Sequence, residues 1–203
     1  MRLMDRDKKF YQFLVDTRLP MKITDVARMF YPSESGNERS SIVVAQRRCR
    51  ALIKSNYIEC SERGFGESNI YYVGSLPQRS LRHRLTMSSV IAKISRSGFE
   101  LLNVELEHRF GEKYSITSDL FLTCKYGQKE FYLVVEVDLT KDLNPNYRQL
   151  IEDIQQGVFR PDKQIRFLSV SDRKIQDEFL KKYFVNVKSD LSDFEKFMYS
   201  FVK

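Results

Sequence analysis

The chain has 203 residues, of which 42% are hydrophobic and 30% charged, a composition typical of a folded protein with one domain or two small ones. No apolar run approaches the ~18–20 residues that span a bilayer, and the polar start MRLMDRDKKF is unlike a secretory signal, so no membrane partner is expected. Three cysteines without a CxxC pair and only two histidines argue for reduced thiols in a cytoplasm and against a zinc site.

The net charge is +7, and cations are concentrated in two segments that contain no acid. One segment runs from Arg39 to Tyr57 and the other from Ser68 to Phe99. Concentrated positive charge attracts a polyanion and raises its encounter rate. Charge alone does not identify the polyanion.

Amphipathic spacing predicts three helices in the first third of the chain. The first is DRDKKFYQFLVDT with an Asp cap, the second is KITDVARMF with Thr24 as N-cap, and the third follows Glu38, with Ser40 or Ser41 as cap, to about Ser55. The strands YIECSE and IYYVG flank the turn RGFGESN and predict a hairpin. Three helices and a hairpin are the plan of a winged helix-turn-helix, so residues 1–76 are predicted to form a DNA-binding domain.

The third predicted helix has an apolar side and a cationic side. Ala45, Cys49 and Leu52 recur at helical spacing and are expected to face the core. At 100° per residue, Arg47 and Lys54 point away from this stripe. Such a helix suits the major groove, with arginine donating to guanine and lysine to phosphate. The predicted DNA-binding residues are Ser40, Val43, Arg47, Arg48, Arg50, Lys54 and, at the hairpin tip, Arg63. The alternative is a charged face that is merely solvated.

Beyond the polar stretch GSLPQRS, residues 77–203 are predicted to form a second domain. Its predicted elements, in order, are the helix Leu81–Ser97, the strands ELLNVELEHRF, SDLFLTCKYG and KEFYLVVEVDL, the helix NPNYRQLIEDIQQGVF with Asn144 as cap, the strand QIRFLSVS, the helix RKIQDEFLKKYF capped by Asp172, the strand VNVK, and a last helix from about Ser192. The order α-β-β-β-α-β matches the core of restriction-endonuclease-like folds. The predicted class is therefore α+β, with a winged helix-turn-helix followed by an α/β domain around a mixed sheet.

In restriction-endonuclease-like folds the second strand carries a metal-binding Asp and the third ends in Glu-x-Lys. Asp119 and Glu136 fall at the matching places, where two carboxylates on neighbouring strands can hold Mg²⁺. Asp138 stands where the lysine is usual, which reverses the charge and makes the pattern poor for catalysis. The candidate metal ligands are Glu105, Asp119, Glu136 and Asp138. The candidate catalytic residues are Asp119, Glu136, Asp138 and Lys141. A simpler interpretation is a core strand whose acids pair with His108, Arg109 or Arg148.

Together, VAQRRCRALIKSNYIE, LRHRLT, SDLFL and VVEVDLT resemble the replication-relaxation family of plasmid and mobile-element proteins, over about residues 5–170. In that family a winged helix precedes a nuclease-like domain whose hallmark strand reads Glu-x-Asp followed by Thr. The matching residues here are Asp119, Glu136, Asp138 and Thr140, with His83 in the His-x-Leu after the wing. The Ser/Gly/Glu insertion PSESGNERS departs from the family pattern.

The resemblance implies a sequence-specific duplex-DNA-binding protein of a plasmid or integrative element, an accessory factor at an origin of replication or transfer. A relaxase or replication initiator is the implied protein partner. A homodimer is expected, because one winged helix reads only a short half-site. Two alternatives stay open: a metal-dependent nuclease or nickase, for which Mg²⁺ would be the cofactor, and a plain transcriptional repressor. No cofactor is expected for the leading hypothesis.

Overall fold

The computed structural model of the chain describes residues 3–61 and 68–200, and it divides into two compact units, Met1–Arg96 and Ser97–Lys203. Each unit contains helices and a β-sheet of its own, which confirms the predicted α+β class. The division lies after Arg96 and not at residue 76, because the helix that follows Pro77 packs within the first unit. Its Ser88 hydroxyl donates to the Pro20 carbonyl at 2.6 Å. None of the described helices combines the length and apolar character that crossing a membrane requires.

The first unit combines helices with a small sheet. Its helices are α1 (Asp5–Thr17), α2 (Ile23–Phe30), α3 (Glu38–Lys54) and α4 (Leu81–Arg96), and its strands are β1 (Met21–Lys22), β2 (Glu59–Ser61) and β3 (Ile70–Tyr72). The strands pair antiparallel in the order β1-β3-β2. The predicted helices and the hairpin pairing of β2 with β3 are confirmed. Strand β1 went unpredicted because two residues are too few to show an alternating pattern.

One hydrophobic cluster holds the first three helices together. Phe10 and Leu14 of α1 lie four residues apart and are buried. The predicted stripe of Ala45, Cys49 and Leu52 on α3 is fully buried in the same cluster. The inward face of α3 is therefore as the sequence predicts, and its rotation about its axis is set by this packing.

The predicted caps of the first three helices are wrong, because each helix begins at or before the residue expected to precede it. Helix α2 begins at Ile23 directly after β1, which leaves Thr24 inside the helix. Helix α3 begins at Glu38, and the Asn37 side chain accepts hydrogen bonds from the backbone amides of its first turn at 3.0 and 3.3 Å. Asn37 thus occupies the N-cap position predicted for Ser40 or Ser41.

The second unit is built on one mixed sheet. Its strands are β4 (Glu100–Arg109), β5 (Thr117–Tyr126), β6 (Lys129–Val137), β7 (Gln164–Val170) and β8 (Phe184–Val187), and its helices are α5 (Tyr147–Gln155) and α6 (Glu195–Tyr199). The strand order is β4-β5-β6-β7-β8, antiparallel from β4 to β6 and parallel from β6 to β8. The predicted strands are confirmed. Strands β5 and β6 are joined by the two-residue turn Gly127-Gln128, in which Gly127 has a positive φ of 60°.

Alternation along the strands determines which side chains meet α5. Phe121, Val134 and Phe167 share one face of the sheet and form a cluster with Tyr147 and Leu150 of α5. The parallel strands β6 and β7 end side by side, with Val137 opposite Val170. Residues that follow these two ends therefore lie at the same edge of the sheet.

The helix predicted over RKIQDEFLKKYF is wrong; the described segment contains only a 3-10 turn, Leu180–Lys182. The Asp177 carboxylate accepts from the backbone amides of Phe179 and Leu180 at 2.8 and 3.1 Å, which starts a tight turn in place of an α-helix. The apolar residues of this segment still pack against the core around α5, although the segment is not an α-helix. Asp172, the predicted cap, instead accepts from the amide and hydroxyl of Ser189 at 3.0 and 2.6 Å.

Candidate functional site

The outer face of α3 is polar, cationic and exposed. Five of the residues predicted to contact DNA lie on it, and all five are exposed: Ser40, Val43, Arg47, Arg50 and Lys54. At 100° per residue their side chains fall within an arc of about 80°. The described structure therefore brings these five residues together on one side of a single helix.

Arg48 is a correction to the predicted DNA-binding set, because its guanidinium turns toward the interior. Its Nε donates to Asp7 Oδ1 at 3.0 Å, and Nη2 bonds the second oxygen of the same carboxylate. Asp7 is fully buried and the Arg48 side chain is only 18% exposed. The reason is helical phase: Arg48 lies three residues after Ala45 and so belongs to the buried stripe.

The buried acid next to Arg48 is well satisfied. Asp7 also accepts from the Tyr31 hydroxyl and the Met4 amide, each at 2.8 Å. Burial alone would raise the pKa of Asp7, but the hydrogen bonds from Arg48, Met4 and Tyr31 outweigh it and hold the pKa below its ordinary value. Arg48 is thus a structural residue.

The exposed cations of α3 face no neutralising acid within the described part of the chain. Arg47, Arg50 and Lys54 form no ion pair with any acid in residues 3–61 or 68–200. Glu38, the acid at the start of α3, is bound by the Arg28 guanidinium at 2.7 Å. Arg63, predicted at the hairpin tip, lies outside the described residues.

The two strand carboxylates of the second unit are neighbours at the end of β5 and β6. The register that pairs Leu120 with Val135 places Asp119 across from Glu136. Asp119 Oδ2 accepts from the Val137 amide at 2.7 Å, and Glu136 Oε1 accepts from the hydroxyl of Tyr147 on α5. Both carboxylates are thereby engaged inside the unit.

Glu136 is buried, and its environment disfavours a negative charge. Burial, and after it the charge of Asp119, raises the pKa of Glu136 to about 9, although the hydrogen bond from Tyr147 acts in the opposite direction. The pKa of Tyr147 is raised as well, first by burial and then by Glu136. Burial therefore favours the neutral form of the Glu136 carboxyl, which stays hydrogen-bonded to Tyr147.

Asp138 and Lys141 lie beside a pocket of about 270 Å³ at the carboxyl ends of β6 and β7. Ser169 and Ser171 of the β7 end contribute to the same lining, and Ser169 is the register partner of Glu136. Crevices at the carboxyl ends of parallel strands are common ligand sites. Glu136 itself faces α5 and is absent from the lining residues.

The remaining predicted ligand, Glu105, is engaged elsewhere on β4. Its carboxylate bonds His108 Nδ1 at 2.8 Å and accepts from the side-chain amide of Asn103 at 2.9 Å. Arg148 donates to both oxygens of Asp177 at 3.0 Å. His108 and Arg148, the expected partners of the acids at the end of β6, therefore bind other acids.

The strand carboxylates differ from a nuclease-type Mg²⁺ centre at one position, where an acid replaces the usual lysine. Asp119 and Glu136 already accept hydrogen bonds within the unit, and the residue two positions after Glu136 is the acid Asp138. Within residues 3–61 and 68–200, no group of three or more His, Cys, Asp or Glu is placed to hold a metal ion. No catalytic step is assigned to this cluster.

Sequence reasoning missed Tyr147, the hydroxyl partner of Glu136. Its signal is its position at the start of the helix after β6, where a side chain can reach back over the strand end. Sequence reasoning also missed Ser169 and Ser171, which lie at the end of β7 and just after it, at the same sheet edge as Asp138.

No significant match to this chain is found among protein-family models, curated proteins or solved structures. The resemblance to the replication-relaxation family therefore depends on the quoted motifs alone.

Proposed function

We propose that this chain binds double-stranded DNA in a sequence-specific manner and inserts α3 into the major groove. The single observation that carries the proposal is the exposed, acid-free face of α3, with Arg47, Arg50 and Lys54 on one side of the helix. Long cations on such a face contact base edges and phosphates, whereas the buried stripe holds the helix in place.

The arrangement around α3 supports a winged helix-turn-helix. The element order α1-β1-α2-α3-β2-β3 and the sheet order β1-β3-β2 match the winged helix-turn-helix plan, in which a hairpin follows the recognition helix. In the second unit, the order β4-β5-β6-α5-β7 after α4 favours a restriction-endonuclease-like scaffold. The exchange of lysine for Asp138 and the hydrogen bond between Glu136 and Tyr147 favour a role for this scaffold other than hydrolysis.

The biological setting is proposed from the motif resemblance. In it, the protein acts as a dimer at an origin of replication or transfer of a plasmid or integrative element, together with a relaxase or replication initiator. Mapping the selected DNA site on the element tests this setting. A site confined to a promoter favours the transcriptional-repressor alternative, and a palindromic site with two protein copies supports the dimer.

The binding test begins with a duplex selected from a random-sequence pool by the intact protein, followed by fluorescence anisotropy. Arg47→Ala and Arg50→Ala are each expected to weaken binding to the selected duplex by ~1–3 kcal/mol. Lys54→Ala should weaken selected and unrelated duplexes alike and reduce the salt slope by about one.

Arg109→Ala is the matched control, because it removes the same charge from an exposed strand position outside α3. It should leave the affinity unchanged. If Arg47→Ala binds the selected duplex as tightly as the parent does, the proposal fails.

A further inference from the structure

We propose that Val43 reads the C5 methyl group of a pyrimidine in the major groove, in unmodified DNA the methyl of thymine. This inference depends on the proposed function and names the chemical group that α3 recognises beyond phosphate and guanine. It makes Val43 a specificity-determining residue.

Val43 is an apolar side chain placed in water by the fold. It is 59% exposed, whereas its neighbours Ile42 and Val44 pack against the core cluster of the first unit. A β-branched residue at an exposed helical position stabilises the helix less than alanine does. Folding of the described unit therefore gains little from Val43, and the side chain is available to contact a partner.

The neighbours of Val43 identify the partner. Ser40 and Arg47 lie on the same side of α3, one turn before and one turn after it, and Arg50 and Lys54 continue the cationic face. The charge complements a polyanion. The N-terminal part of a recognition helix contacts base edges, and the thymine methyl is the apolar group that the major groove displays. Val43, an apolar side chain beside a hydroxyl and several cations, suits the major groove, which displays methyl groups as well as acceptors and phosphates.

The test is a double-mutant cycle between protein and DNA, with the intact chain and its selected duplex. Each thymine of the site is replaced in turn by uracil, which removes only the methyl, and affinity is measured for the parent and for Val43→Ala. At one thymine the parent should lose about fourfold, equivalent to ~0.8 kcal/mol at tenfold per ~1.4 kcal/mol. The same replacement should cost Val43→Ala nothing.

The variant should fold normally, because Val43 is exposed and alanine favours a helix. Val158→Ala is the matched control: it truncates another strongly exposed valine, at 63%, outside α3. The uracil penalty should persist in that control. A parallel selection with 5-methylcytosine in place of cytosine separates the two sources of the methyl, since coupling at a methylated cytosine alone would assign that base.

Failure of this inference is distinct from failure of the proposed function. If Arg47→Ala weakens binding but every methyl removal costs the parent and Val43→Ala equally, Val43 reads no methyl and only the inference is overturned. If neither Arg47→Ala nor Val43→Ala changes the affinity, the groove contact by α3 is absent and both proposals fall.

Discussion

Arg47 and Arg48 are adjacent in sequence, yet Arg48 pairs with a buried carboxylate whereas Arg47 is exposed, and this contrast can be tested directly. Arg48→Ala removes the guanidinium that bonds both oxygens of Asp7. We expect a large loss of stability and, in the folded variant, unchanged DNA binding. Arg47→Ala removes the same charge one residue earlier and should do the reverse.

The size of the stability loss in Arg48→Ala follows from the hydrogen-bond donors that remain around Asp7. Its carboxylate is fully buried, and without Arg48 its donors among the described residues are the Tyr31 hydroxyl and the Met4 amide. Removing one partner of a buried ion pair costs ~3–5 kcal/mol, and the two remaining donors place the loss near ~3 kcal/mol. At ~2–4 °C per kcal/mol for a chain of this length, the Tm should fall by at least about 6 °C. Arg47→Ala should stay within ~0.5 kcal/mol of the parent, because its side chain is exposed.

The assay is urea unfolding followed by circular dichroism, with anisotropy on the selected duplex under conditions where each variant is folded. The effect should also depend on pH. The pKa of Asp7 is lowered in the folded state, so the contribution of the pair is complete above the ordinary value of 3.8 and is lost as the pH falls through the folded-state pKa. Equal stabilities of Arg48→Ala and Arg47→Ala at neutral pH would refute the assignment of Arg48 to the core.

Three further predictions concern buried groups. The folded-state pKa of Glu136 is raised to about 9, so the native state retains a proton that the unfolded state releases near 4.5. The free energy of unfolding should therefore fall between these pH values, by up to ~1.4 kcal/mol per pH unit. Urea unfolding of Glu136→Gln should lack this slope, and parallel pH profiles of the variant and the parent would contradict the buried neutral acid. In the native protein a thiol reagent should label only Cys60, because Cys49 and Cys124 are buried and burial raises their pKa to about 12. Rapid labelling of all three thiols without denaturant would be inconsistent with this packing. Supercoiled plasmid should remain intact in Mg²⁺ as in EDTA, and nicking that needs both Mg²⁺ and Glu136 would restore the nuclease alternative.

Periodic patterns predicted most elements of this fold, because burial of one face repeats at 3.6 or 2 residues. They failed where one specific contact, local or long-range, outweighs the periodic pattern. The segment after Asp172 has helical spacing, yet the backbone amides of Phe179 and Leu180 donate to the Asp177 carboxylate and start a 3-10 turn instead. Strand β1 exists because Met21 pairs with Tyr71, far along the chain.

The candidate site shows a similar division. The exposed face of α3 was predictable, since helical phase follows from the buried stripe. Helical phase also predicts that Arg48 lies near the buried stripe, but it was assigned to the exposed face because it is a cation among other cations. Its partner Asp7 lies 41 residues away in sequence, so the ion pair itself could not be predicted. The neutral pairing of Glu136 with Tyr147 was not predictable, because the packing of α5 against the sheet brings the hydroxyl to the carboxylate.

The ion pairs around α3 separate its cations into two groups. Arg48 forms an ion pair with the buried carboxylate of Asp7, and Arg28 forms an ion pair with Glu38. Acids and bases that serve folding are thus matched with each other in the described unit. Arg47, Arg50 and Lys54 form no such pair within the described residues, and the repulsion among them is relieved when an anion binds, as the proposed DNA contact would do. A helix that merely needed to be solvated would gain from an acid on that face, and α3 has none from Arg39 to Lys54.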